Sequence, residues 1–238
     1  MRSRPGLALA GLVAAAVLVA GACTDKGKGS GDASAKPGSA MTSTTVNAGG
    51  IHVDAPKKWE TIPVPDLGFG LAVPPGWEAT LLSPQGLATL AGASPKVPEF
   101  TELAHAAAQS GGLLYAAGVD DQGGVSDVVV RGAPNTGIKD VAGLTAYAKQ
   151  LAQQAGRPNQ AVTPVEGAKH PTVQMRFEVP GAKKGAKPSQ ATETLVAGPN
   201  NVVWDVTITS DTASIHDALA HQINGTFTLA APKKKSSG

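Results

Sequence analysis

The stretch PTVQMRFEVP, residues 171–180, alternates strictly between apolar and polar side chains. Its apolar members are Val173, Met175, Phe177 and Val179. Successive side chains of a strand point to opposite faces, so this period of two predicts a half-buried antiparallel strand. The fold therefore contains a sheet with an apolar face at this point.

Two further strands are predicted directly after this one. Residues 190–197 are a weaker strand candidate. The stretch NVVWDVTIT, residues 201–209, places Trp204 and alternate aliphatic residues on one side. Loops rich in glycine and proline join the three strands, as expected for consecutive antiparallel strands.

Two more pairs of strands are predicted upstream. Residues 69–73 and 77–81 flank the turn Pro74-Pro75-Gly76, which predicts a β-hairpin at the start of the domain. Residues 113–118 and 125–131 flank a second glycine-containing turn. In both cases the short turn indicates that the two strands it joins are antiparallel neighbours in a sheet.

Three helices are predicted, over residues 101–110, 141–155 and 212–222. The middle one has the clearest apolar stripe, with Leu144 and Ala148 on one side. The predicted caps are Asp140 and Asp211, and the predicted stops are Gly111-Gly112, Gly156 and Asn224-Gly225.

This order of elements predicts a single α+β domain over residues 51–231. Runs of antiparallel strands interrupted by a few helices favour an antiparallel β-sheet flanked by helices over a parallel α/β sheet. We expect helices to cover one face of that sheet.

The N-terminal segment has the layout of a secretory signal peptide. Arg2 and Arg4 precede an uninterrupted apolar run at residues 7–20, and small residues follow at 20–22. The run is shorter than the ~20 apolar residues that a membrane-spanning helix needs. Residues 1–22 are therefore predicted to be a cleaved leader.

Cys23 is the single cysteine of the chain, and it directly follows those small residues. The sequence Val19-Ala20-Gly21-Ala22-Cys23 resembles a bacterial lipobox, with Ala20 where that motif usually has leucine. The resemblance implies a lipoprotein whose Cys23 sulfur is diacylated, for instance with palmitate, and whose leader is cut before it. Each buried CH₂ contributes ~0.8 kcal/mol, so two acyl chains anchor a protein stably where one does not. The alternatives are an ordinary signal peptide with an incidental cysteine and an uncleaved anchor.

Polar segments lie on both sides of the domain. Residues 23–50 comprise the lipidated cysteine and a flexible tether. The tether is too poor in apolar residues to fold, and its end-to-end distance is about 30 Å. Residues 232–238 form a disordered basic tail. Of the 20 basic side chains two lie in the leader, which leaves 18 against 18 acidic ones. This neutrality argues against a nucleic-acid partner.

The chain resembles the actinobacterial cell-envelope lipoproteins of the LpqN/LpqT type. The resemblance rests on the lipobox, the tether, the segments Ile62-Pro63-Val64-Pro65 and Val73-Pro74-Pro75-Gly76-Trp77, and the order helix, three strands, helix. It implies a PsbP-like fold, an antiparallel sheet flanked by helices, over about residues 60–230. It also implies an envelope protein without established catalytic residues that contacts lipids, envelope proteins or host proteins.

No pattern in the sequence indicates a catalytic or metal site. The fragment Gly124-Val125-Ser126-Asp127-Val128 lacks the second glycine of the G-x-S-x-G nucleophile motif. His216 and His221 are five residues apart, which separates them by about 140° around a helix axis. We expect no enzyme activity, no cofactor and no metal. An enzyme would require His105 or His170 to meet a serine and an acid in the fold.

The leading hypothesis is a lipid-anchored, non-catalytic binding or adaptor module on the extracytoplasmic face of the cell membrane. Its partners would be the membrane, through the lipid, and an envelope lipid or envelope protein. The alternative is a carrier that encloses a hydrophobic acyl or lipid ligand, with Trp77, Phe177 and Trp204 as ligand-binding residues. Tryptophans in strands are more often core residues. The lysines at 183–187 are a further candidate contact for anionic lipid.

Overall fold

The computed structural model describes residues 55–180 and 187–229. Cys23, the tether, the lysines at 183–184 and the basic tail lie outside the described residues. Within the two described ranges, the chain forms ten strands and four α-helices. None of these helices is long and apolar enough to cross a membrane.

The predicted strands and helices occur in the predicted order, and the structure adds three strands and one helix that were not predicted from the sequence. The strands are β1 (Glu60–Val64), β2 (Phe69–Val73), β3 (Glu78–Leu81), β4 (Gly112–Val119), β5 (Val125–Pro134), β6 (Thr163–Pro164), β7 (Thr172–Val179), β8 (Ser189–Gly198), β9 (Val202–Ser210) and β10 (Thr228–Leu229). The helices are α1 (Pro84–Leu90), α2 (Phe100–Gln109), α3 (Val141–Gln154) and α4 (Ala213–Thr226).

The strands form two antiparallel sheets. The larger sheet has the order β3-β4-β5-β9-β8-β7-β6, and the smaller has the order β1-β2-β10. Every pairing in both is antiparallel. This confirms the predicted fold class, an α+β domain with an antiparallel sheet flanked by helices.

The predicted hairpin over residues 69–81 is wrong, although both of its strands exist. β2 pairs with β1 and β10 in the smaller sheet, whereas β3 pairs with β4 in the larger one. The Pro74-Pro75-Gly76 turn therefore carries the chain from one sheet to the other. Gly76 has a φ of 79°, a left-handed conformation that glycine adopts without steric cost.

The larger sheet is covered on both faces, not on one as expected. The face that we call the α4 face packs against α4 and the smaller sheet, and its core joins Val128 and Val206 to Leu71 and Ile223. On the opposite face, which we call the α2/α3 face, α2 packs on β4 and α3 packs on β7 and β8. The central strands β5 and β9 lie between these two helices.

Local sequence determines both ends of α3. The Asp140 side chain accepts a hydrogen bond from the Gly143 N–H at 2.8 Å, which confirms the predicted cap. At the other end Gly156 has a φ of 74°, and the Arg157 N–H donates to the Ala152 carbonyl at 2.7 Å. This Schellman geometry turns the chain back toward the sheet and positions Arg157 directly beyond the helix.

The final helix differs from the prediction at both ends. Thr212, not Asp211, occupies the cap position, and it makes no side-chain capping bond. Asp211 instead accepts hydrogen bonds from Ser189 Oγ at 2.6 Å and from the Val125 N–H at 3.3 Å. The helix continues through Asn224-Gly225 to Thr226 because Thr226 is buried against β2.

Candidate functional site

The candidate site is a patch of polar side chains on the α2/α3 face, between the two helices. We call this patch the polar floor. It consists of Asp127, Arg131, Glu193, Asp205, Thr207 and Thr209. All six belong to β5, β8 and β9, the central strands of the larger sheet.

Antiparallel register brings these side chains together. Arg131 is paired with Asp205, and Asp127 with Thr209, across β5 and β9. Glu193 is paired with Thr207 across β8 and β9. Directly paired residues lie on the same face with Cβ atoms about 4.5–5.5 Å apart. Residues distant in the sequence therefore form one continuous patch.

Arg131 connects the end of α2 to the centre of the floor. Its Nη1 donates to Asp205 Oδ2 and to Thr207 Oγ1, both at 3.3 Å. Its Nη2 donates to Ser110 Oγ at 3.1 Å, and Ser110 is the residue directly after the end of α2. Thr207 in turn donates to Asp205 Oδ1 at 2.8 Å. One guanidinium thus holds a carboxylate and two hydroxyls.

Arg157 makes the second ion pair, from the α3 side. Its Nη2 donates to Glu193 Oε2 at 3.4 Å, and its guanidinium carbon lies 3.6 Å from the centroid of the Phe177 ring in a cation–π contact. The side chains of this pair are 27% and 11% exposed, and those of Arg131 and Asp205 are 14% and 20% exposed. Both ion pairs are therefore within reach of solvent.

Burial raises the pKa of the carboxyl groups in the floor. Burial and the nearby Asp211 charge raise the pKa of Asp127 to about 7, although the Thr209 hydroxyl and Arg131 oppose the change. Burial also raises the pKa of Glu193 and of Asp205, and the two arginines oppose both changes. Such raised pKa values are typical of functional sites and also occur in structural ion-pair networks.

Two tyrosines border the floor. Tyr147 on α3 is half-buried, and burial and the charges of Asp205 and Glu193 raise its pKa. Tyr115 on β4 is fully buried, and burial and the Asp127 charge raise its pKa. The Tyr115 hydroxyl, Arg131 Nε and Arg157 Nη1 have no hydrogen-bond partner among the described residues. Buried polar atoms of folded proteins are nearly always hydrogen-bonded to protein or to ordered water, so we expect these three groups to have such a partner.

The ligand-binding residues predicted from the sequence are not brought together. Trp204 is a core residue of the α4 face, with its ring centroid 5.0 Å from that of Phe69 and 6.4 Å from that of Phe227. Trp77 is partly buried at the margin of the same core. Phe177 lies on the opposite face, beneath Arg157. The three rings therefore do not line a common space, and Cys23 lies outside the described residues.

The described histidines lie away from the floor. His105 and His221 are exposed on α2 and α4, and His170 lies in the loop before β7. His216 is buried on the α4 face, where its Nε2 lies 2.8 Å from Thr192 Oγ1. Over residues 55–180 and 187–229, no group of three or more His, Cys, Asp and Glu side chains is placed to hold a metal ion.

The polar floor was not predicted from the sequence, because the residues of the floor occupy the polar positions of half-buried strands. In NVVWDVTIT, apolar and polar residues alternate, and the polar positions of such a strand are expected to face solvent. Asp205, Thr207 and Thr209 occupy those positions. A usable signal was present, since acidic residues are depleted in strands. Glu193 within ATETLVA and Asp205 are such mid-strand acids.

Comparisons with known proteins identify no family for this chain. No protein-family model matches it, and no curated protein sequence matches it. Among solved structures, the Ran-binding protein Mog1p of Saccharomyces cerevisiae is 11% identical, with 72% of this chain and 95% of that chain covered and a TM-score of 0.41. LpqN of Mycobacterium tuberculosis, described as involved in cell envelope biogenesis, is 14% identical, with 74% and 93% covered and a TM-score of 0.37. LpqN belongs to the type of protein that the sequence resembles, but TM-scores below 0.5 do not transfer a role from either neighbour.

Proposed function

We propose that this protein is a lipid-anchored lipoprotein of the bacterial cell envelope that acts as a non-catalytic binding or adaptor module. The anchoring part of the proposal rests on the lipobox around Cys23 and on the polar tether that follows it. Such a tether lets the folded domain sample a distance of about 30 Å from the membrane surface.

The binding part of the proposal rests on one observation, the two ion pairs that carboxylates of the polar floor make with Arg131 and Arg157. Arg131–Asp205 and Arg157–Glu193 lie between α2 and α3, partly exposed, on the central strands of the larger sheet. Charged side chains in that position carry a desolvation cost that a purely structural sheet face avoids with apolar residues. We assign the polar floor as the recognition surface.

The chemistry of the floor favours binding over catalysis. Its carboxyl groups are held by guanidinium or hydroxyl groups, and no described histidine lies beside Thr207 or Thr209 as a base. A nucleophile requires such a base within hydrogen-bond reach. The separation of Trp77, Phe177 and Trp204 likewise favours an adaptor over a carrier of an apolar ligand.

Anchoring is tested with the Cys23→Ser variant of the full chain. We expect the wild-type protein to sediment with membranes and to carry two acyl chains on Cys23, as read by mass spectrometry of the N-terminal peptide. We expect the variant to lose the acyl mass and the mature domain to leave the membrane fraction. A wild-type protein without acyl mass would contradict the anchoring proposal.

Binding is tested by affinity capture of the acylated protein from envelope membranes, with mass spectrometry of captured proteins and lipids. The Arg131→Met variant is compared with Arg176→Met, whose arginine forms an exposed ion pair with Asp217 on the α4 face. We expect the floor variant alone to lose specific partners. Identical capture by both variants would exclude the floor as the recognition surface.

A further inference from the structure

We propose that the corner of the domain next to the tether docks on the surface of a phospholipid bilayer. We call it the tether corner, and it consists of the turn at residues 56–59 and the Pro74-Pro75-Gly76-Trp77 turn. The inference rests on the proposed anchoring at Cys23 and adds a second, non-covalent contact with the same membrane. Three observations carry it: the position of the corner, the exposure of its indoles and the backbone conformation of Lys58.

The first observation is the position of the two turns. β1 begins directly after the first turn, β2 ends directly before the second, and these two strand ends are paired. The two turns therefore lie side by side. The turn at residues 56–59 is also the first described turn after the tether of residues 23–50. A flexible tether keeps this corner near the bilayer at an effective concentration on the order of millimolar, so a weak contact is enough to populate a docked state.

The second observation is the exposure of the indoles. The corner holds two of the three tryptophans of the chain, and both are half-exposed. Trp59 and Trp77 pack against the margin of the α4-face core, and the Trp77 indole lies against the backbone at Gly118. The next residue along β4, Val119, is 47% exposed, whereas Trp204 in the core is 5% exposed. An indole has an apolar body and a polar N–H, and tryptophan is enriched where acyl chains meet headgroups.

The third observation is the backbone conformation of Lys58. Its φ is 80°, and the Trp59 N–H donates to the Pro56 carbonyl at 3.0 Å, which closes a type II turn around it. The third position of such a turn requires a positive φ, which glycine adopts without steric cost and lysine does not. Strained residues of this kind cluster at functional sites. We therefore assign the role to the Lys58 side chain, not to its backbone.

The charges around the corner indicate a local contact with lipid phosphates. Lys57 and Lys58 are exposed, and neither forms an ion pair with another residue of the described ranges. The charged residues nearby are Glu60, Glu78, Lys96, Asp120 and Asp121. Three lysines against four carboxylates give no excess of positive charge, so a diffuse attraction to anionic lipid does not account for docking. The indoles enter the interface instead, and the lysine stems lie along it with their ammonium groups at the phosphates.

Docking at this corner leaves the polar floor accessible. The two indoles belong to the α4 face of the larger sheet, whereas the floor lies on the α2/α3 face. The bilayer and a partner bound at the floor therefore contact opposite faces of the sheet. The membrane contact orients the recognition surface without covering it.

The test is quenching of tryptophan fluorescence by brominated phosphatidylcholine. The acylated protein is purified from membranes and reconstituted in vesicles of phosphatidylcholine and phosphatidylglycerol. Bromine quenches an indole only at close range, so a docked corner is quenched and a freely tethered domain is not. We expect lipid brominated near the glycerol to quench more than lipid brominated near the methyl end. Trp59→Phe should lower the quenched fraction of the emission, and Trp204→Phe should raise it because the buried indole is removed.

Two glycine variants separate the Lys58 side chain from its backbone. Lys58→Gly and Asn201→Gly each relieve a residue with positive φ, and neither should lower the melting temperature. Asn201 accepts a hydrogen bond from the Asn135 N–H beyond the end of β5, whereas Gly118 is paired near the start of β5, so this control lies at the other end of the larger sheet. A lysine close to a bilayer surface contributes about fivefold to binding. Lys58→Gly alone should therefore lower the quenched fraction, by at least twofold.

The outcomes distinguish docking from anchoring. Unquenched tryptophans in a protein that carries acyl mass on Cys23 would overturn the docking inference and leave the proposed anchoring intact. Equal quenching of Lys58→Gly and Asn201→Gly would do the same. A wild-type protein without acyl mass would overturn the anchoring, and the docking inference with it.

Discussion

Arg131 and Asp205 are direct cross-strand partners on β5 and β9, and Arg131 Nη1 lies 3.3 Å from Asp205 Oδ2. The same guanidinium reaches Ser110 at the end of α2. This contact therefore ties a helix end to the centre of the sheet. It also holds the Asp205 charge in a place where burial alone would favour the protonated acid.

The Arg131→Met variant is expected to lose stability in a pH-dependent manner. Removing one partner of a fully buried ion pair lowers the free energy of unfolding by about 3–5 kcal/mol. Because the Arg131–Asp205 pair is partly exposed, we expect a decrease of about 2 kcal/mol at pH 8. Without Arg131 the pKa of Asp205 rises further above its unfolded value, so the variant loses more stability as the pH rises. Urea unfolding should therefore show a smaller loss at pH 5 than at pH 8. Equal losses at both pH values would contradict this account of Asp205.

The Asp127→Asn variant tests the carboxyl group whose pKa is raised to about 7. A folded pKa above the unfolded value means that this group contributes stability below about pH 4 that is lost as the pH rises toward 7. The variant lacks this dependence. Between pH 4.5 and 7.5, the wild-type free energy of unfolding should fall relative to that of Asp127→Asn by more than about 1.4 kcal/mol, the equivalent of one pK unit. Asp121→Asn, at an exposed position in the β4–β5 turn, should behave as the wild type does.

His216 provides a pH dependence of the opposite sign. It lies on the buried side of α4 with Nε2 2.8 Å from Thr192 Oγ1, and burial lowers its pKa. The lowered pKa means that stability is complete above the unfolded pKa of about 6.5 and is lost as the pH falls below it. Thermal unfolding of His216→Gln should therefore be less sensitive to a change from pH 7 to pH 5 than that of the wild type. The matched variant His221→Gln, at an exposed position on the same helix, should retain the wild-type sensitivity.

Gly118 is required by the position of Trp77. A Cβ atom built on Gly118 would overlap the Trp77 indole, which lies directly against the backbone of β4. We expect Gly118→Ala to destabilise the domain by about 1–3 kcal/mol, as overpacking does, and to shift the tryptophan fluorescence. At Gly92 a Cβ atom would have no heavy atom within 4 Å. Gly92→Ala should therefore change the free energy of urea unfolding by less than about 0.5 kcal/mol.

Helices and strands that are specified by residues close together in the chain were predictable from the sequence. α3 begins directly after its cap residue Asp140 and ends before the left-handed Gly156, because a cap and a stop depend on residues within one helical turn. The alternation in β7 and β9 likewise reports the two faces of each strand. By contrast β6 and β10 are two residues long, and no periodic pattern exists over that length.

Elements that depend on distant partners were not predictable. The chain leaves β2 for another sheet after Pro74-Pro75-Gly76, a turn that is equally compatible with a hairpin. The Asp211 carboxylate accepts hydrogen bonds from Ser189 and Val125 on β8 and β5, and it does not cap the helix α4 that follows it. In both cases tertiary pairing outweighs a local preference.

The sequence by itself determined the alternating strands, the capped central helix and the α+β class, because each follows from side chains a few positions apart. Only the tertiary structure decided that Arg131 meets Asp205, 74 residues away, and that Arg157 meets Glu193 beside Phe177. The polar floor arises from strand order and register, which are properties of the whole sheet. A charge on a strand has no partner until another strand supplies one, and its burial becomes favourable only when the two lie on the same face.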